Sequence, residues 1–272
     1  MNIHVWLLSL ALLIPGCIAV LSQLRRASRS TGYPFLPPLT CFVSATILVF
    51  LIHFIPTYIY ANLPGVWSEI SGIGSGLIWI VLSVVICLIG IAGTFCFIKV
   101  IQGFREGKKL LWAELFLLMI AASLLIAGFL HCIFPSWLWI REAFVFIKLY
   151  VMRYLNLFYV LLLILLLRYQ KNNPDSPYSA LSGSFAMIML IREGVDFMVT
   201  FVMDYVRIRL NADFADIGVI GDMIYLVLTI FLIYFWLIRF LMPAAEKGMD
   251  KGKHDAAVAA WVRSGLISEE EG

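Results

Sequence analysis

Seven stretches of this chain are almost wholly apolar, and each is long enough to cross a bilayer, which takes about 20 residues of α-helix. They are 3–23, 39–60, 75–100, 110–134, 143–167, 180–206 and 217–242. A soluble domain of 272 residues breaks up its apolar runs and carries more charge than the 14% found here. The chain is 62% hydrophobic, with a mean hydropathy of +0.96. The expected fold is therefore all-α: a seven-helix transmembrane bundle over 1–242. The fifth and sixth runs carry internal charges and fit the pattern least cleanly.

Lys and Arg in the loops set the orientation. Arg25, Arg26 and Arg29 follow the first run, and Lys99, Arg105, Lys108 and Lys109 close the third. Arg168 and Lys171 follow the fifth, and Arg239, Lys247, Lys251, Lys253 and Arg263 lie at or beyond the end of the seventh. The opposite loops hold Arg141, Arg207 and Arg209. This asymmetry puts the N-terminus outside and the C-terminus in the cytoplasm. The formal charge of +3 thus reads as topology and carries no message about nucleic acid. The first run lacks a basic leader and an A-x-A site, and "LIPGC" at 13–17 sets Pro15 where a lipoprotein box does not take it. The run is expected to remain as a span.

The loops are short. In "GYPFLPPLT", Pro37 and Pro38 fix a turn and the second helix is expected to start just after them. "NLPGVWSEISGIGSG" and "KNNPDSPYSA" carry the Pro, Gly and Ser of turns. After Met242 a polar linker, 243–256, leads to a short helical pattern over 257–272. There Ala257, Val258, Trp261 and Val262 form an apolar stripe. Ser268 followed by Glu271 has the form of a helix start. Trp and Tyr in "WSEI", "SWLWI" and "IYFWLIRF" read as interfacial belts. The cysteines Cys17, Cys41, Cys87, Cys96 and Cys132 read as small packing residues, with no external pair for a disulfide.

Ionisable groups at bilayer depth are costly and are the natural functional candidates. With a helical rise of about 1.5 Å per residue, His53, Arg153, Arg192, Glu193, Asp196 and Asp222 all fall in the outward half. Glu114 sits near the cytoplasmic face. Arg192 and Asp196 are i and i+4 and share a helix face. Glu193 is one position off, where it reaches toward a neighbouring helix. Arg153 wants an acid, and Glu193 or Asp222 is placed to supply one. An outward cavity lined by these six residues would suit a small polar or amphipathic ligand. Two plainer readings stand beside it: an ion-pair network that fixes helix rotation, and snorkelling of Lys148 and Arg153 to the interface. His53 and His131 lack a third ligand at useful spacing, so no metal is expected. His4 and His254 read as solvated.

No catalytic signature is present: no H-E-x-x-H, no G-x-S-x-G, no phosphate or dinucleotide loop. "GIGSG" at 72–76 has Ile73 where the intramembrane serine-protease motif needs Gly. The chain is expected not to be an enzyme and to need no cofactor. Rhodopsins are excluded because the seventh run has no lysine. The large receptor class is excluded because its acidic-Arg-aromatic and Asn-Pro motifs are missing.

One resemblance remains. "VAAWVRSGLISEEEG" at 258–272 resembles the opening of the LuxR-type helix-turn-helix domain of bacterial regulators. Trp261 and Val262 stand on the leading helix, then Gly265, Leu266 and Ile267, with Ser268 as N-cap and Glu271 at the acid position. "STGYPFLPPLT" at 30–40 is similar to the junction after the first span in the members that carry a seven-helix membrane sensor. The sequence departs from the pattern at Glu270, where the family has Arg, and by one residue inserted before Ser268. The resemblance implies a sensor in a bacterial inner membrane. Its partners would be the bilayer, a small ligand, a second copy in a homodimer, and DNA, the last through a domain beyond these residues. The alternatives are a small transporter or ion/proton carrier using Glu193 or Asp196, and a membrane scaffold in which the charges only pair helices.

Overall fold

A computed structural model describes residues 3–62, 75–134, 137–146, 152–176, 178–210 and 214–245. Those residues form helices joined by short turns, with no strand among them. In chain order they are α1 (Ile3–Thr31), α2 (Leu36–Asn62), α3 (Ser75–Phe104) and α4 (Leu111–Ile133), then α5 (Leu138–Phe146), α6 (Met152–Asn172), α7 (Ser179–Leu210) and α8 (Phe214–Trp236). A π-helical turn, Leu237–Leu241, continues α8. Three stretches, Ile80–Phe104, Leu111–Ile133 and Met223–Ala245, are long and apolar enough to cross a membrane, and Leu36–Ile52 is a shorter apolar segment. A backbone in hydrocarbon must satisfy its own N–H and C=O groups, which is why such runs are helical.

Where the residues are described, the apolar runs fall on helix, but the ends differ from those the sequence pattern drew. α1 continues past Gln23 to Thr31 and carries Arg25, Arg26 and Arg29 on helix instead of loop. Gly32, at φ +66°, ends α1 in the left-handed region that suits glycine. α2 begins at Leu36, so Pro37 and Pro38 sit inside its first turn, not before it. The first turn tolerates them because its N–H groups have no helical acceptor. The fifth run is divided between α5 and α6, with 147–151 outside the described residues. The segments 246–256 and 257–272, with Trp261, Ser268 and Glu271, also lie outside them.

Packing runs through α2. It lies against α3 most extensively and also against α1 and α8, while α7 packs on α6 and α8. One close approach of backbone to backbone is at one end, where Gly103 of α3 meets the turn before α2. A Cβ on Gly103 would stand 2.9 Å from the Phe35 Cα, so only glycine fits there. Around this contact Phe35, Phe104, Phe185 and Trp236 pack with ring centroids 4.1–6.2 Å apart, most of them stacked or edge-on, as aromatic pairs prefer. Tyr178 meets the Phe35 ring edge-on at 5.6 Å, and Tyr33 stacks on Phe35 at 5.3 Å. Burial pushes the Tyr33 phenol up from its usual pKa, and the neighbouring Tyr178 adds to the shift. This aromatic plug closes the end of the molecule that carries Arg25, Arg26, Arg105, Lys108, Lys109, Arg168, Lys171 and Arg239.

Candidate functional site

The deepest charge described is on α7. Arg192 lies thirteen residues above the start of that helix at Ser179, which at about 1.5 Å per residue is about 20 Å into the bundle. Its side chain has no exposure, and that of Glu193 almost none. A guanidinium held there without partners would be prohibitively costly. Arg192 Nη1 donates to Glu193 Oε1 at 2.5 Å, and Nε donates to Thr229 Oγ1 on α8 at 2.7 Å. The Thr229 hydroxyl donates in turn to the Tyr225 carbonyl at 2.7 Å. Its proton is thereby committed to the backbone, and its lone pair faces the cation. The guanidinium also stacks over the Tyr225 ring at 4.1 Å and lies 5.5 Å from the Phe42 ring of α2, both within cation–π range.

Arg192 is the residue that reaches the neighbouring helix, and Glu193 turns back to it. The i, i+4 spacing places Asp196 on the same helix face as Arg192. The guanidinium itself spans α7 to α8 and also bonds the adjacent Glu193 carboxylate. Asp196 is half-buried one turn on. Two polar atoms of the pair, Arg192 Nη2 and Glu193 Oε2, are buried with no hydrogen-bond partner among the described residues. The side chains of His53, Arg153 and Asp222 lie outside the described residues. Their backbones belong to α2, α6 and α8. Of the six residues picked out by the sequence, the structure thus brings Arg192 and Glu193 into direct contact.

Below this pair a continuous contact chain leads toward the aromatic plug. Phe42 packs on Phe97 and Tyr159. The Tyr159 and Thr94 hydroxyls are hydrogen-bonded to each other at 2.7 Å between α3 and α6. Phe97 contacts Phe185, and Phe185 packs against Trp236 at 5.2 Å. The Trp236 indole N–H donates to Ser184 Oγ at 3.1 Å. So α8 is pinned to α7 twice, at Thr229 by Arg192 and at Trp236 by Ser184, about two helical turns apart on both helices. Trp236 is fully buried, which corrects its reading as an interfacial belt residue. Ser184 supplies the acceptor that a buried indole requires. Tyr234 and Phe235 beside it do face outward. Immediately after Trp236 the helix widens into the π-turn, a form frequent at functional sites.

Sequence reasoning missed Thr94, Tyr159, Thr229 and Trp236. Their one signal was a hydroxyl or indole inside an otherwise apolar run, and that signal is shared with residues that merely bond their own helix, as Thr46 does to the Phe42 carbonyl. A second polar cluster sits at the basic end, where Glu114 Oε1 accepts from Lys99 Nζ at 2.6 Å and from Gln102 Nε2 at 2.7 Å. His131 lies against the Phe144 ring at 5.7 Å. Among the described residues no three His, Cys, Asp or Glu side chains gather as a metal site needs. No family model, no curated protein and no solved structure matches the chain.

Proposed function

We propose that the chain is a membrane-embedded sensor in a bacterial inner membrane. On this reading seven helices span the bilayer, with α5 and α6 sharing one crossing. The N-terminus lies outside and the basic, aromatic-plugged end lies in the cytoplasm. A small ligand enters from the outer side and acts on the Arg192–Glu193 pair, with Arg153, Asp196, Asp222 and His53 as the further polar groups of the outer half. The output leaves through α8 and its π-turn toward 243–272. The resemblance of 258–272 to a LuxR-type opening makes that output a DNA-binding domain, and hence transcription regulation.

One observation carries the proposal: the buried guanidinium is bonded across to the last helix, through Arg192 Nε and Thr229 Oγ1. A ligand acts only by binding two bundle states unequally. The free Nη2 and Oε2 are where a ligand's polar atoms gain the most, since a buried unpaired group costs about 1–3 kcal/mol. Any ligand that competes for the guanidinium weakens the α7–α8 link at Thr229. That link lies above Trp236, where α8 is pinned a second time before it leaves the bundle.

The same unpartnered Oε2 also fits a proton carrier, and one experiment separates the two readings. The double variant Arg192→Met/Glu193→Leu removes both charges together. A sensor is expected to change the transcripts of the host while proteoliposomes show no ion or proton flux in either form. Flux in the native protein that the double variant abolishes, with transcripts unaltered, would instead establish a carrier.

A further inference from the structure

α8 has a second face, turned away from Arg192, and there it forms one wall of a groove of about 710 Å³ against α1. Pro15, Gly16 and Ala19 line it on one side and Val227, Phe231 and Tyr234 on the other. The volume falls within the range of small-molecule sites, about 300–1,000 Å³. The wall is apolar and broad because α1 is thin here. Gly16 lacks a side chain, and a Cβ on it would already touch Ile230 at 3.6 Å. Pro15 has no N–H to give, so the Ala11 carbonyl above the groove is released from the helix ladder.

The groove leads toward a rim of positive charge. Pro15, Ala19 and Arg26 stand at i, i+4 and i+11, one row of α1. Arg26 and its neighbours Arg25 and Arg29 are exposed, as is Arg239, five residues beyond Tyr234. No Asp or Glu occurs in 13–31 or 223–245 to neutralise them. From Val20 to Arg26 the helix rises about 9 Å, the step from acyl region to headgroup.

We infer that this groove is a binding site for an anionic membrane lipid, with an acyl chain along Ala19 and Phe231 and the headgroup phosphate on Arg26 and Arg239. Charge selects this occupant over a second copy of the chain. Two copies related by a two-fold axis across the groove would bring both arginine rims face to face, and like charges there oppose association. A phosphate neutralises the rim, and guanidinium–phosphate contacts are the strong, charge-assisted kind. The site is separate from the Arg192–Glu193 pair and does not depend on the sensor reading.

The test uses the full chain in mild detergent and in nanodiscs of phosphatidylglycerol or phosphatidylcholine, read by native mass spectrometry for bound lipid. The native protein is expected to retain phosphatidylglycerol in preference to phosphatidylcholine by about tenfold, the size of one charge-assisted contact. Ala19→Phe, which fills the groove from α1, is expected to lose the bound lipid. Val227→Trp, which fills it from α8, serves if the first variant does not fold. Arg26→Gln/Arg239→Gln is expected to lose the headgroup preference. Equal retention of both lipids by the native protein overturns the inference. So does undiminished retention in the filled variants, and so does a disulfide between two Ala19→Cys chains placed face to face across the groove.

Discussion

Arg192 is surrounded by groups that each answer part of its charge: Glu193 at Nη1, Thr229 at Nε, Tyr225 at its face. Removing the cation alone leaves Glu193 buried and uncompensated. Arg192→Met is therefore expected to lower stability by about 3–5 kcal/mol, read as denaturant unfolding in detergent. Arg192→Met/Glu193→Leu removes both charges and is expected to recover most of that loss. Equal destabilisation by the single and the double variant would show that the pair does not act as a pair. Gly103→Ala tests a steric claim. Its methyl would fall 2.9 Å from the Phe35 Cα, so α3 and the α1–α2 turn must part, at about 1–3 kcal/mol. At Trp236 the ring and the N–H separate cleanly. Trp236→Phe keeps most of the packing and loses the Ser184 bond, for about 1 kcal/mol. Trp236→Ala empties the plug and is expected to cost about 3–5 kcal/mol. Glu114→Gln should shift stability by less than about 1 kcal/mol, because Lys99 and Glu114 are both partly exposed, at 39% and 21%.

At the scale of elements, the helices were legible because hydropathy alone decides them. In apolar runs such as those of α3, α4 and α8, the bilayer leaves no other way to satisfy the backbone. What was not legible came from contacts between elements. Pro37 and Pro38 read as a turn before α2, yet the first turn of a helix accommodates them. Trp236 looked like a belt residue until Ser184, 52 positions away, supplied its acceptor. The i, i+4 rule sets Asp196 on the face of Arg192, but it gives no sign that Thr229 on another helix bonds the guanidinium. Such pairs are set by helix rotation and depth, which a single run of residues does not encode. The π-turn after Trp236 likewise has no marker in "LIRFL". Deleting one residue from Leu237–Leu241 is expected to restore α-helical geometry there. It would also remove the wider turn between Trp236 and the residues that follow. In the sensor reading this uncouples the tail, and the host transcripts then resemble those of a null strain. A wild-type response from the deletion would exclude the π-turn from transmission.

For the whole molecule the governing features are the charge asymmetry and the double pinning of α8. Arg25 and Arg26 of α1, Arg168 and Lys171 of α6, Arg239 after α8 and the α3–α4 turn with Arg105, Lys108 and Lys109 fall at the end closed by the aromatic plug. The proposed orientation predicts that a cysteine placed at Lys108 is labelled only from the cytoplasmic side, and one at Trp137 only from the outside. Labelling of both from one side would refute the topology. Across the bundle, the buried pair, the Thr94–Tyr159 bond and the Phe97–Phe185–Trp236 stack form one contact sequence. Coupling along it is read as a shift between two bundle states. The most direct measurement is the distance between spin labels at Ala180 on α7 and Met242 beyond the π-turn, by pulsed electron resonance in nanodiscs. It would be taken for the native chain and for Thr229→Val, which removes the acceptor but keeps the shape. The account predicts that Thr229→Val moves the population toward a second, resolved distance. A single distribution unchanged by the substitution would contradict the claim that the Arg192–Thr229 bond sets the position of the last helix.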